Sequence, residues 1–329
     1  MPRPFRKGIY APLPTFFDEN EEIDIESYKK HVKFIAEAGA TPTVCGSLGE
    51  AMHLDHQERS QLVKAAREAL DECGFGDVPI LAGIAANSTR EVIQYSKELA
   101  SAGADFALLI PPAYYAKYLE NHLSALKHFY VDVAAQSPIP IIMYNFPALS
   151  GGIDMQSDLI IEIAKEASNI AGIKLTCGSV GKLSRITSVV HTNYFKSTYP
   201  RTLTTDPFMI IDGLIDFLLP SMSVGGAATM PALADFVPKA CVHFWKLCQP
   251  ESLADPKKYK EAQYLQGIFS QADGLVQPMG IPGVKMVVSK LFGHPGVPRR
   301  PLEPYEAEKV DVFLEEEPIK ILLELESKL

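Results

Sequence analysis

The chain has 329 residues, 47% of them apolar and 22% charged, with a formal net charge of −9. That balance belongs to a soluble globular protein, and the acidic excess argues against nucleic acid or an anionic membrane as partner, because both reward clustered Lys and Arg. No run of about 18 uncharged apolar residues occurs, so no transmembrane helix is expected.

The first residues, Met1 to Lys7, are basic but carry no apolar signal core and no amphipathic Arg/Ser-rich segment. The expected compartment is the cytoplasm, with the mitochondrion as the alternative. Short apolar runs then recur: Ile9–Phe17, Thr43–Gly46, Ile80–Ala85, Phe106–Pro111, Ile139–Asn145 and Ile170–Thr176. Each is apolar almost throughout, as strands buried on both faces are. Weaker strand signals lie at Phe208–Asp212 and Gly226–Thr229.

Amphipathic stretches separate these runs. Glu26–Ala38 places Tyr28, Val32, Ile35 and Ala36 on one face. His56–Leu70 is preceded by Asp55, with Glu58 at capping-box spacing. Thr89–Ala102, Leu119–Ala135, Met155–Ala167 and Val180–Val190 continue the pattern. Repeated βα units imply a parallel sheet, and eight of them close a barrel. The fold expected is therefore an α/β chain: a (β/α)8 TIM barrel over residues 1–231 and a C-terminal helical extension over 232–329.

In that extension Leu233–Cys248, Pro256–Gln271, Gly283–Leu291 and Glu303–Leu325 read as helices, with Pro318 breaking the last. The Pro/Gly-rich stretches 278–282 and 293–304 read as loop. The five cysteines (45, 73, 177, 241 and 248) form no CxxC pair and read as reduced thiols. Cys45 and Cys177 adjoin the motifs below, so they are either thiol-sensitive points or small buried apolar residues.

Reacting groups of a barrel sit where its strands end at the C-terminal face. The sixth run holds Lys174 among apolar neighbours. A charged ammonium there is costly, whereas a neutral amine costs less and is a nucleophile that forms an imine with a ketone. The bland alternative is a lysine that snorkels from the strand end or pairs with a carboxylate. Tyr144 ends the fifth run, where a phenol can shuttle protons or simply pack. Gly46-Ser47-Leu48-Gly49-Glu50 suggests a tight loop whose N–H groups suit a carboxylate, or a plain turn. Tyr114 and Tyr115 follow Pro111-Pro112 and could form a relay or a pocket wall. His53 and His56 lie too close in sequence for a helical zinc pair, and Asp55 is better used as a helix cap, so no metal is expected. No GxxxxGK[ST] or GxGxxG motif is present.

Four of these segments, GSLGEA (46–51), PPAYY (111–115), YNFPALSG (144–151) and GIKLTCG (172–178), together resemble the dihydrodipicolinate synthase / N-acetylneuraminate lyase family. The likeness spans roughly residues 8–290. It implies a homo-oligomer, a tetramer or a dimer, that acts on pyruvate or another 2-oxo acid through a lysine imine without metal or organic cofactor. By resemblance, Lys174 is the Schiff-base lysine and Tyr144 the catalytic tyrosine. Ser47, Leu48 and Gly49 form the loop for the substrate carboxylate, and Ser47 also helps Tyr144 move protons. A second tyrosine, lent to a neighbouring subunit in some members, falls at Tyr114 or, preferably, Tyr115. Thr176 matches a threonine of the neuraminate lyase branch.

Departures from the family pattern narrow the substrate. Leu149 stands where dihydrodipicolinate synthases carry an arginine for the aldehyde's carboxylate, and leucine cannot form that pair. Leu48 replaces a threonine. Of the acidic pair that holds sugar hydroxyls in neuraminate lyases, only Asp216 remains in Gly213-Leu214-Ile215-Asp216. The expected activity is an aldolase-type lyase acting on 4-hydroxy-2-oxoglutarate or a 2-keto-3-deoxy sugar acid. The alternatives are dihydrodipicolinate synthase or N-acetylneuraminate lyase activity, and a catalytically silent barrel that binds a small acid.

Overall fold

The computed structural model describes residues 2–202 and 208–329. Eight parallel strands close a barrel in sequential order. They are β1 (Gly8–Pro12), β2 (Thr41–Val44), β3 (Leu81–Gly83), β4 (Phe106–Leu109), β5 (Ile141–Asn145), β6 (Ile170–Leu175), β7 (Met209–Asp212) and β8 (Ala228–Thr229). All eight expected strands are present, the two weakest signals included. Most are shorter than the apolar runs that announce them. In β1 the reason is chemical: Pro12 and Pro14 lack the N–H that a longer ladder would need.

The barrel is filled by side chains of one parity. Tyr10, Leu81, Phe106, Leu108, Ile142, Tyr144, Met209 and Ile211 form an inner cluster that Phe5 joins. Phe5 stacks on Tyr10 with ring centroids 5.2 Å apart and meets Phe106 edge-on. The alternate residues, such as Ile9, Ala107, Ile141, Met143, Ile173 and Ile210, belong to the larger core between strands and helices. On β6 this alternation sends Ile173 and Leu175 outward, so Gly172, Lys174 and Thr176 share the inward parity.

Helices at Ile25–Glu37, His56–Glu72, Thr89–Ala102, Leu123–Gln136, Ser157–Glu166, Val180–Val190 and Leu218–Ser223 follow the first seven strands. The capping box at Asp55 and Glu58 forms as its spacing predicts. The fourth helical stretch splits, with a short helix Ala116–Glu120 ahead of Leu123–Gln136. A short helix Asn193–Thr198, capped by Thr192, was not expected from the sequence. After β8 come Pro238–Leu247, packed on β1, and then Pro256–Val276, Gly280–Phe292, Ala307–Glu315 and Glu317–Lys328.

Two details of this C-terminal part differ from expectation. Residues 278–282 are helical rather than loop, because Pro278 and Pro282 occupy first-turn positions whose N–H groups bond nothing within a helix. The last acidic helix breaks at Glu316, and Pro318 opens the second piece. Among the described residues no helix is long and apolar enough to cross a membrane.

Candidate active site

Lys174 lies in β6 between Tyr144 on β5 and Ile211 on β7, at one level of the register. The strand can pass this close to β7 because residue 172 is glycine: a Cβ there would stand 2.2 Å from the carbonyl oxygen of Met209. Lys174 is 5% exposed. Its Nζ lies 4.2 Å from the centroid of the Tyr144 ring. Among the described residues no carboxylate stands within 4 Å of it. This is a buried lysine at the C-terminal end of a barrel strand, held against an aromatic face instead of an acid.

Tyr144 also lines a cavity of about 270 Å³ at the mouth of the barrel, together with Ser47, Asn87, Leu149, Ile281 and Leu302. Lys174 does not line it; the ring that Lys174 touches does. The last two residues come from beyond β8, so the C-terminal part supplies one wall of the cavity. No Lys or Arg is among the described residues of the lining.

The loop after β2 begins and ends at non-glycine residues in left-handed conformation, Cys45 at φ 54° and Glu50 at φ 53°. Such backbone is strained and persists only when its surroundings hold it. Gly83 makes room at the first point, because a Cβ there would lie 1.9 Å from the Cys45 carbonyl oxygen. Within the loop Glu50 N–H donates to Ser47 O (3.0 Å) and Ala51 N–H to Gly46 O (3.2 Å). The buried Thr15 hydroxyl donates to Gly49 O at 2.7 Å. Among the described residues the N–H groups of Ser47 and Leu48 have no protein acceptor. They form the kind of donor pair that suits an anion. Ser47 lines the cavity, whereas the Leu48 side chain is buried in the core, so Leu48 offers only backbone. Gly49 turns toward the carbonyl of Leu13.

The remaining expected residues are spread more widely. Tyr114 and Tyr115 are 79% and 62% exposed, meet each other edge-on, and do not line the cavity of their own chain. The Thr176 hydroxyl is buried against Gly213 with no partner among the described residues. Asp216 lies on a turn that packs on the helix Pro256–Val276, where its backbone oxygen accepts from the Ser270 hydroxyl at 2.8 Å. Its carboxyl does not line the cavity, burial raises it above the usual carboxylate range, and its charge acts on the buried Asp273 and Asp212. Burial pushes Asp273 up to about 7, with the Asp216 charge adding to it. Asp212, at the outward-facing end of β7, accepts from Ser221 and is also raised by burial.

Cys45 is buried and its thiol is pushed up to about 12, chiefly by burial, so it is a packing residue and not a reactive one. Asp55 serves as a helix cap, and among the described residues no group of three or more His, Cys, Asp or Glu is arranged to hold a metal.

Thr15, Gly83, Asn87 and Glu50 also shape the site, and no role for them is evident from the sequence. Thr15 was visible as the first polar side chain past β1. The other three carry no local signal.

The family model described as the dihydrodipicolinate synthetase family matches residues 5–315. The chain is 38% identical to an L-threo-3-deoxy-hexylosonate aldolase of Aspergillus niger, over 99% of this chain and 98% of that one. It is 37% identical to a protein of Emericella nidulans described as a "probable 4-hydroxy-2-oxoglutarate aldolase, mitochondrial", over 99% of each. It is also similar to the crystal structure of YagE, a prophage protein of the dihydrodipicolinic acid synthase family from E. coli K12 in complex with pyruvate. That pair shares 26% identity and a TM-score of 0.76, and the match covers 98% of both chains.

Proposed function

The chain belongs to the dihydrodipicolinate synthetase family and is a carbon–carbon lyase of the class I aldolase type, and we propose that it works through an imine between Lys174 and the ketone of pyruvate or another 2-oxo acid. The observation that carries this reading is Lys174 itself: buried, without an acid partner among the described residues, and set against Tyr144 at the barrel mouth.

In the cleavage direction the free amine of Lys174 attacks C2 of a 4-hydroxy-2-oxo acid. The carbinolamine loses water to give a protonated imine, which draws the electrons of the C3–C4 bond toward nitrogen. As that bond breaks, the 4-hydroxyl gives up its proton and an aldehyde leaves. The enamine left on Lys174 takes a proton at C3, and water then releases pyruvate. The Tyr144 hydroxyl carries the protons between these stations. The N–H groups of Ser47 and Leu48, with the Ser47 hydroxyl, hold the substrate carboxylate. The imine is the electron sink, so the reading calls for no metal or organic cofactor.

The substrate class we favour is a 2-keto-3-deoxy sugar acid, with 4-hydroxy-2-oxoglutarate second. The latter carries an additional carboxylate at its far end, and the cavity lining offers Leu149, Ile281 and Leu302 but no Lys or Arg among its described residues. The name of the Aspergillus niger relative supports this order. Tyr115, with Tyr114, is read as part of a face that docks on a second copy of the chain, completing the proton relay of the neighbour. All five cysteines are free, which fits the cytoplasm or the mitochondrial interior.

Borohydride added with pyruvate tests the core of this reading. A reduced adduct on Lys174, absent in Lys174→Ala, is the expected result, together with pyruvate release from a panel of 2-keto-3-deoxy acids. Folded protein that yields no adduct, or a Lys174→Ala variant that cleaves as fast as the parent, would overturn it. Pyruvate binding with no turnover on the panel would instead favour the silent barrel.

A further inference from the structure

The loop that offers Ser47 and Leu48 is tied down by residues that lie far along the chain. Glu50 closes the loop in a strained left-handed conformation, and its side chain is completely buried. Each carboxylate oxygen has its own partners. Oε1 accepts from Lys285 Nζ at 2.5 Å, and Lys285 is equally buried, on the helix Gly280–Phe292. Oε2 accepts from the backbone N–H of Arg299 at 2.9 Å and lies 3.1 Å from His53 Nδ1. Lys285 also donates to Val297 O at 2.9 Å.

The Arg299 guanidinium continues the tie on the far side. It donates to both oxygens of Glu58 (3.0 and 2.6 Å), to His53 O (2.8 Å) and to Glu21 O (2.6 Å). Phe17 lies under both cations, with Lys285 Nζ 4.5 Å and the Arg299 carbon 4.4 Å from its centroid. Two acids and two cations thus balance in charge, with most of their hydrogen-bonding capacity used. Burial lowers the affinity of Lys285 for its proton and the adjacent Glu50 carboxylate offsets this, which fits an ion pair held in place by geometry. Removing Lys285 would leave Glu50 as an uncompensated buried charge.

We infer that Lys285 and Arg299 are positioning residues: through Glu50 they hold the Ser47–Gly49 turn in its anion-binding shape, making the C-terminal helical part a working component of the active site. This rests on the reading that this turn holds the substrate carboxylate. A strained turn relaxes when its anchor goes, and the paired N–H groups of Ser47 and Leu48 then lose their common aim. Lys174, on β6, touches none of these groups. The expected signature is therefore weaker binding with the imine chemistry largely intact.

The test is the pyruvate dependence of borohydride trapping on Lys174 in the full-length chain, for the parent, Arg299→Ala and Lys285→Met. In both variants the half-saturating pyruvate concentration is expected to rise about tenfold or more, the size of one charge-assisted hydrogen bond lost. The trapping rate at saturation is expected to stay within about threefold of the parent. Arg299→Lys, which keeps the charge but loses the fork, is expected to fall between Arg299→Ala and the parent. An unchanged half-saturation with parental trapping would overturn this inference alone. So would equal loss of half-saturation and saturated rate, which would mark a general structural role. Should Lys285→Met fail to fold, Arg299→Ala decides, because it removes the guanidinium bonds to Glu58, His53 and Glu21 that seat the residue whose backbone N–H caps Glu50. No adduct on the parent would bring down the imine reading and this inference together.

Discussion

Lys174 Nζ and the ring of Tyr144 are 4.2 Å apart, on neighbouring strands and at the same register position. The contact is with the ring face, so the two roles of Tyr144 can be separated. Tyr144→Phe keeps the face and loses the hydroxyl. Turnover is expected to fall by about 10²–10⁴-fold, the usual range for a lost general acid–base. Saturable pyruvate trapping on Lys174 should survive. Steady-state kinetics beside borohydride trapping checks both, and a variant that turns over like the parent would remove Tyr144 from the relay.

Leu149 is 47% exposed on the rim of the cavity, so a longer side chain has room there. Leu149→Arg supplies the fork that this rim lacks. Selectivity, as the ratio of kcat/KM for 4-hydroxy-2-oxoglutarate to that for a 2-keto-3-deoxy sugar acid, is expected to shift about 10–100-fold toward the diacid, matching a charged hydrogen bond of about 1.5–3 kcal/mol. No shift would mean that the aldehyde end of the substrate lies elsewhere.

Gly83 faces the Cys45 carbonyl oxygen so closely that a Cβ would stand 1.9 Å from it. Backbone lies on both sides of this contact, so neither can simply rotate away. Gly83→Ala should cost about 1–3 kcal/mol or more of stability, seen as a lower urea midpoint, and should weaken pyruvate binding as the loop shifts. A variant with the parental midpoint would show that β2 and β3 have slack at this point.

Asp273 is buried on the helix Pro256–Val276, raised to about 7 by burial and by the neighbouring Asp216, and one of its oxygens has no partner among the described residues. An unfolded aspartate titrates near about 3.9. Between about pH 4 and 7 the folded chain therefore keeps a proton that the unfolded chain has released, and this group makes stability fall as pH rises through that window. Asp273→Asn removes the titration and leaves the shape. Urea midpoints at pH 5 and pH 8 should differ less in the variant than in the parent, with the gain appearing at pH 8. An equal loss in both proteins would assign the pH dependence to other buried carboxyls, such as Asp212 or Asp235.

Tyr114, Tyr115, Tyr118 and Leu123 are each more than half exposed, and the first two follow Ala113, which lines the cavity. If this face docks on a second copy, Tyr115→Ala combined with Tyr118→Ala should shift sedimentation toward a smaller species and lower turnover along with it. An unchanged sedimentation coefficient would place the subunit contact elsewhere.

The barrel was legible because its signal is local. A strand buried on both faces must be apolar along its length, and eight such runs separated by amphipathic stretches leave few other architectures. Where the structure departs from the pattern, the cause is positional. Pro278 and Pro282 read as loop residues by composition, yet each sits in a first helical turn where proline does no harm. The stretch around Asn121 and His122 is amphipathic enough to read as one helix, but it breaks there into two.

Local sequence carries three facts: a lysine stands inside an apolar strand, a tyrosine ends the preceding one, and a glycine-flanked turn follows the second. These are statements about neighbours, and periodicity encodes neighbours. What those residues meet follows from how distant segments pack. Lys174 faces inward because barrel closure sends one strand parity to the interior. Asp216 turns to a helix and away from the cavity because its turn packs on Pro256–Val276. Glu50 meets Lys285 across 235 positions of chain because the C-terminal helices fold back over the mouth. Burial of two opposite charges at one point depends on where distant backbone comes to rest, and no local pattern of residues carries that information.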